Sequence, residues 1–143
     1  MSHFSQFIYS IIQTSFIHNW TEPDPMDAAS FLERLTKVQT LNPTLSITTT
    51  WDEFIRFKQT NLIKKAMDEL KTLRNSLLQQ TDWIFTGDNI QTIANLDDWT
   101  SYRQTLREFF SSPTFQLILV AGTEKPDFAA MNFPPTQPQV IRK

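Results

Sequence analysis

Cysteine is absent from this 143-residue chain, and histidine occurs only as His3 and His18. Disulfides, thiolate zinc sites and thiol nucleophiles are therefore excluded together, and two well-separated imidazoles leave little for a histidine metal site. Glycine is almost as scarce, with Gly87 and Gly122 the two examples. No glycine-flanked nucleophile elbow, phosphate-cradling loop or zinc-binding helix occurs. A surplus of charge is lacking too. The formal net charge is -2 and the pI about 5.6, which gives neither duplex nucleic acid nor an anionic membrane the electrostatic footprint it demands. The opening MSHFSQFIYSIIQTSF has no basic n-region, and Ser, Gln and Thr interrupt its apolar residues. It reads neither as a signal peptide nor as a membrane span. The expectation is a soluble, cytoplasmically made protein that is not an enzyme, with no catalytic, cofactor-binding or metal site and no nucleic-acid or membrane partner.

Aromatic residues are plentiful: twelve Phe, four Trp and two Tyr make up 13% of the chain. Set against two glycines, they argue for a packed helical body rather than a disordered tail or a turn-rich β-sandwich. Proline is confined. None lies between Pro43 and Pro113, and four crowd the end at Pro126, Pro134, Pro135 and Pro138. Phe4, Phe7, Ile8, Ile11, Ile12 and Phe16 recur at spacings of three and four, as on one helix face, although the β-branched and aromatic content of this stretch equally suits a strand. Asp24 offers an N-cap with Pro25 at the first helical position, and Phe31, Leu32, Leu35 and Val38 follow on one face up to Pro43.

Thr50 and Glu53 form a capping box ahead of a run from about 51 to 80 that neither Pro nor Gly interrupts. Within it Ile63, Ala66, Leu70, Leu73 and Leu77 make a seam at spacings of three and four, with Lys64 to Asp68 and Lys65 to Glu69 as i,i+4 pairs outside it. This 63–77 seam suits packing inside the chain and a homo-oligomer alike. After Gly87, Asp97 or Asp98 can cap a second helix over about 98–110. Trp99, Tyr102, Leu106 and Phe109 share one face of it, and Arg103 and Arg107 the neighbouring face. FQLILV, residues 115–120, is a short strand candidate between Pro113 and Gly122. The Pro-rich segment 126–143 reads as extended, with backbone amides free for a partner. The fold class is thus mainly α, organised as a helical region at 1–50, a helical domain at 51–125 and an extended tail at 126–143.

The adjacent acids Asp97 and Asp98 are read as helix caps rather than as an acid/base pair, and Asp82 with Asp88 as turn caps rather than a cation site. Arg103 and Arg107, beside Asp97, Asp98 and Glu108, pair with carboxylates or stack on aromatic rings more readily than they clamp phosphate. Trp83, Trp99 and Tyr102 are first of all core residues, and secondarily the aromatic part of a surface that receives another chain.

Taken in order, Arg74, Leu77, Leu78, Thr81-Asp82-Trp83, Asp88, Trp99, Tyr102-Arg103-Gln104, Leu106-Arg107-Glu108 and Pro113 resemble the pattern of the phage tail assembly chaperone family, which includes tail fibre assembly proteins. That pattern closes on an aromatic-Pro-x-x-Pro motif, and here Phe133-Pro134-Pro135-Thr136-Gln137-Pro138 stands in its place. The resemblance covers residues 74–138. Two departures mark it: FQLILVAGTEKPDF is inserted before the final motif, and Phe133 stands where Trp is more usual. It implies a non-enzymatic phage protein that binds a tail or tail fibre polypeptide in the host cytoplasm during virion morphogenesis. A permanent adaptor between fibre and baseplate, retained in the virion tail, is the alternative. The residues it implies for binding or for the motif are Arg74, Leu77, Leu78, Asp82, Trp83, Trp99, Tyr102, Arg103, Arg107, Phe133, Pro134 and Pro138. Leu77, Leu78, Trp83, Trp99, Tyr102 and Leu106 are expected to weld two helices into a hairpin.

Overall fold

A computed structural model of the chain describes residues 2–14, 16 and 22–143; His18 lies outside them. The architecture is mainly α, as the composition predicts. Its helices are α1 (His3–Ile12), α2 (Ala28–Leu41), α3 (Trp51–Gln80), α4 (Asn89–Thr92) and α5 (Leu96–Glu108), with 3-10 turns at Asp82–Phe85 and Phe109–Ser111. Strand pairing among the described residues is limited to two isolated antiparallel bridges, Ile93 with Arg142 and Leu119 with Pro126. The chain divides into two compact units, Met1–Leu62 and Ile63–Lys143, so that α3 contributes to both.

In the first unit, α1 forms as a helix because Ser2 caps it, its hydroxyl accepting from the Ser5 amide at 3.2 Å. Phe4, Phe7 and Ile8 are thereby buried on one face. The helix stops at Ile12, where Gln13 turns left-handed (φ 50°) and its amide donates to the Tyr9 carbonyl. Asp27 caps α2, accepting from the Ser30 amide at 2.7 Å, three residues later than the cap expected at Asp24. Asp24 serves α1 instead. Its carboxylate accepts from the Phe4 amide at 2.8 Å and bonds His3 Nδ1 at 2.9 Å, with Lys58 at 3.5 Å. One acid thus satisfies an otherwise free amide in the first turn of another helix. The core behind it is a cluster of phenylalanines: Phe31 stacks on Phe54 (centroids 5.5 Å, 21°), and Phe4 meets both edge-on. The Thr50 hydroxyl accepts from the Glu53 amide at 3.2 Å, the first half of the capping box. The Glu53 carboxylate turns to the Thr49 hydroxyl.

The second unit buries Leu70, Ile84, Ile93, Trp99, Tyr102, Leu106, Met131 and Phe133 in one cluster, with Leu73, Leu77 and Leu78 packed against it. Most of the seam read from the sequence is therefore turned inward; Ile63, at 52% relative exposure, is the exception. Lys65, expected to pair with Glu69, reaches Glu124 at 3.6 Å. Residues 139–143 lie beside 92–95: the Ala94 amide donates to the Ile141 carbonyl at 2.7 Å, and the Lys143 amide to the Thr92 carbonyl at 2.9 Å. Asn95, rather than the expected Asp97 or Asp98, stands at the cap position of α5; both acids lie inside its first turn, and Asn95 makes no side-chain capping bond. Its side chain accepts from the Ile141 amide and donates to the Gln139 carbonyl.

The Asp24 carboxyl is held below the usual aspartate range. Burial pushes it up, but the Phe4 amide bond and the His3 and Lys58 contacts outweigh that push. A folded-state pKa below the unfolded one contributes stability above the unfolded value, and that stability is lost as pH falls through the folded value. The advantage of the native protein over Asp24→Asn in urea denaturation should therefore be full near about pH 6 and shrink below about pH 4. A gap that stays constant across that range would contradict this role for Asp24.

Candidate protein-contact site

The end of α3 leaves its last carbonyls without intrahelical partners. Leu78 is one of them, and three donors converge on its oxygen: the Thr81 amide at 3.1 Å, the Thr81 hydroxyl at 2.8 Å and Arg103 Nη1 at 2.8 Å. Arg103 comes from α5, twenty-five residues further along the chain. The same nitrogen lies 2.6 Å from the Thr81 hydroxyl and 2.8 Å from an Asp82 carboxylate oxygen, and the guanidinium sits over the Phe85 ring. A cation is favourable at a helix C-terminus. Here it also fixes the turn that follows. Thr81 is 2% exposed, so its hydroxyl depends on these partners, whereas the Asp82 side chain is 58% exposed and its ion pair is weakened by solvent. The contacts to Leu78 and Thr81 therefore dominate.

Around this clasp the structure brings several of the motif residues together. Trp99 and Tyr102 meet edge to face at 6.1 Å and are buried with Leu106, while Leu77 and Leu78 pack against the same cluster. Burial pushes the Tyr102 phenol pKa up. The Trp99 indole N–H is buried with no acceptor among the described residues, so its contribution comes from packing alone. Arg74 lies over the Phe110 ring at 5.6 Å, and Phe110 packs in turn on Phe109, Phe115 and Phe133. Phe133 is 4% exposed; Pro134, joined to it by a cis peptide, is exposed, and Pro138 is half-buried.

Trp83 stands apart. It lies on the 3-10 turn, 42% exposed and outside the buried cluster, although the sequence reading places it in the weld between helices. Its ring is met by Arg142 at 5.9 Å, and its carbonyl accepts from the Thr86 hydroxyl and the Asn89 amide group. Arg107 is exposed, and its side chain makes no ion pair or hydrogen bond among the described residues. The sequence reading missed Thr81 and Phe85 as working parts of the clasp. Thr81 carries a readable signal, a hydroxyl residue immediately past the last turn of a long helix.

No three metal-ligating side chains gather among the described residues, and none of the described helices is long and apolar enough to cross a membrane. A half-open groove of about 520 Å³ lies beside the end of α5, lined by Thr105, Glu108, Phe109, Ile118, Met131 and Asn132 among others. Above a clasped helical core, an aromatic ring, Trp83, and a guanidinium, Arg107, are left at the surface. Residues 67–130 match the family described as phage tail assembly chaperone protein, the family that the sequence motif resembles. The match lies within the second unit and spans the clasp, and it supports a role in phage tail assembly. No curated protein and no solved structure matches the chain.

Melting temperatures and urea denaturation of matched substitutions separate the buried half of the motif from the exposed half. Trp99→Ala should cost about 3–5 kcal/mol, and Trp83→Ala no more than about 1 kcal/mol. Arg103→Ala should cost roughly 1.5–3 kcal/mol, the range for hydrogen bonds made by a charged group, with Arg107→Ala close to neutral. Equal losses within either pair would overturn the division.

Proposed function

We propose that this protein is a non-enzymatic chaperone of phage tail or tail fibre assembly, binding a tail polypeptide in the host cytoplasm while the virion is built. The observation that carries this reading is the family match over residues 67–130, which includes both the clasp and the exposed residues around it. In this proposal Arg74, Leu77, Leu78, Asp82, Trp99, Tyr102, Arg103 and Phe133 build the platform. Trp83 and Arg107, with Pro134 and Pro138 of the tail, meet the client. Aromatic and arginine side chains that are exposed in the free protein and become desolvated on contact are the usual centres of binding energy. A chaperone needs nothing further: it covers apolar or unpaired surface of an immature protein until assembly removes the hazard.

Co-expression with neighbouring tail genes, followed by pull-down on this protein, tests the proposal. A tail or tail fibre polypeptide should be captured. A double substitution of Trp83 and Arg107 by alanine should weaken capture at least roughly tenfold, the equivalent of about 1.4 kcal/mol, with the melting temperature lowered by no more than about 8 °C. Capture of no tail polypeptide would refute it. Mass spectrometry of purified particles supplies the second arm: a chaperone is found in the lysate and missing from mature virions, whereas stoichiometric presence in virions would make the protein a permanent tail component.

A further inference from the structure

The inserted segment FQLILVAGTEKPDF forms a short ribbon whose two edges are unlike. Leu119 faces Pro126 in an antiparallel bridge, flanked by the Val120 amide donating to the Lys125 carbonyl and the Asp127 amide to the Ile118 carbonyl, both at 2.8 Å. Val120 to Thr123 closes the turn, with the Thr123 amide donating to the Val120 carbonyl and Gly122 at φ 74° in the position of a type II turn that needs it. In an antiparallel pair the peptide groups alternate in direction. Those of Ile118 and Val120 point to the partner segment, so those of Leu117 and Leu119 point away from it. None of the Leu117 or Leu119 backbone groups has a hydrogen-bond partner among the described residues.

The far edge of the ribbon is blunted. Pro126 has no N–H to offer there, and Glu124 and Lys125 place charge beside it. The near edge has neither device. From Phe115 to Val120 the side chains alternate, with Phe115, Leu117 and Leu119 half-buried and Gln116, Ile118 and Val120 exposed; Phe115 and Leu117 pack on the unit's core. That is the pattern of a strand supported on one face and open at its edge. Phe115, Gln116 and Ile118 also line the groove beside α5, whose one ionisable lining residue is Glu108. Glu108 makes no ion pair among the described residues; its carboxylate accepts from the Gln104 side-chain amide, so the groove's one formal charge is left for a cation of another chain to neutralise.

We propose that the 115–120 edge is a strand-addition site, and that its occupant is an extended segment of the client polypeptide with alternating apolar side chains and one Lys or Arg set against Glu108. The two outward peptide groups, about 7 Å apart along the strand, give the pairing its register. Ile118 and the groove take alternate side chains. This rests on the reading of the protein as a tail assembly chaperone and assigns that reading a second contact, separate from Trp83 and Arg107.

Amide hydrogen exchange of the full chain, read residue by residue with the synthetic peptide acetyl-Thr-Val-Lys-Val-Thr-Val-amide at about 1 mM, tests the site. The Leu117 and Leu119 amides should slow by roughly tenfold or more. The same peptide N-methylated at every amide should give no protection, and a Lys-to-Glu version should give several-fold less. Leu119→Pro, read at the Leu117 amide, and, with the backbone intact, Ile118→Lys, read at both amides, should each abolish the effect. Failure of the parent peptide to protect these two amides overturns the site, as does equal protection by the N-methylated peptide. Concentration-dependent protection without peptide would make the occupant a second copy of this chain and equally overturns it. Pull-down separates the two levels: a captured tail polypeptide that leaves Leu117 and Leu119 in fast exchange refutes the strand site and leaves the chaperone function standing, whereas a protein that captures no tail polypeptide refutes the function whatever the peptide does.

Discussion

The second unit depends on one guanidinium. Arg103 reaches from α5 to the last turn of α3 and there meets a carbonyl, a buried hydroxyl and a carboxylate. A helix end inside a fold must have its carbonyls satisfied, and a long helix that stops beside a core has few ways to do so. Thr81 alone supplies two donors to Leu78 but is itself buried, and Arg103 completes the arrangement from the opposite side. With the turn fixed, Asp82–Phe85 runs along the core with Ile84 inside and Trp83 outside. The separation of the two tryptophans in the motif, one buried and one exposed, follows from this single contact.

Much of the frame was legible in the sequence because it is local. The capping box at Thr50 and Glu53 and the lack of Pro or Gly up to Gln80 define a helix that the structure draws over Trp51–Gln80, and Trp99, Tyr102 and Leu106 lie on one face because helical spacing puts them there. The cap of α2 was misplaced because two acids precede it. Composition cannot tell Asp24 from Asp27; a hydrogen bond to Phe4, distant in the chain, does. Asn95 stands at the cap position of α5 with its side chain engaged by the tail, again a long-range competitor for a local role.

The site was less legible, for a physical reason. Trp83 sits on a 3-10 turn, where the periodicity that assigns faces to helix residues is lost, so nothing in its spacing announces an exposed ring. The partners of Arg103 were equally hidden: two of the three are a backbone carbonyl and a hydroxyl, and the third is Asp82, whereas the local charge pattern points to Asp97, Asp98 and Glu108. The family match over residues 67–130 spans the clasp, and the clasp's geometry explains what the threonine, the acid and the arginine do there. They set a turn.

The most direct test of this account is a double-mutant cycle between Arg103 and Thr81, with Arg103→Ala, Thr81→Val and the pair measured by urea denaturation. If the clasp fixes the turn, the two substitutions are coupled by about 1 kcal/mol or more. Additivity within about 0.5 kcal/mol would mean that Arg103 and Thr81 act independently, and the clasp would not be the contact on which the unit rests.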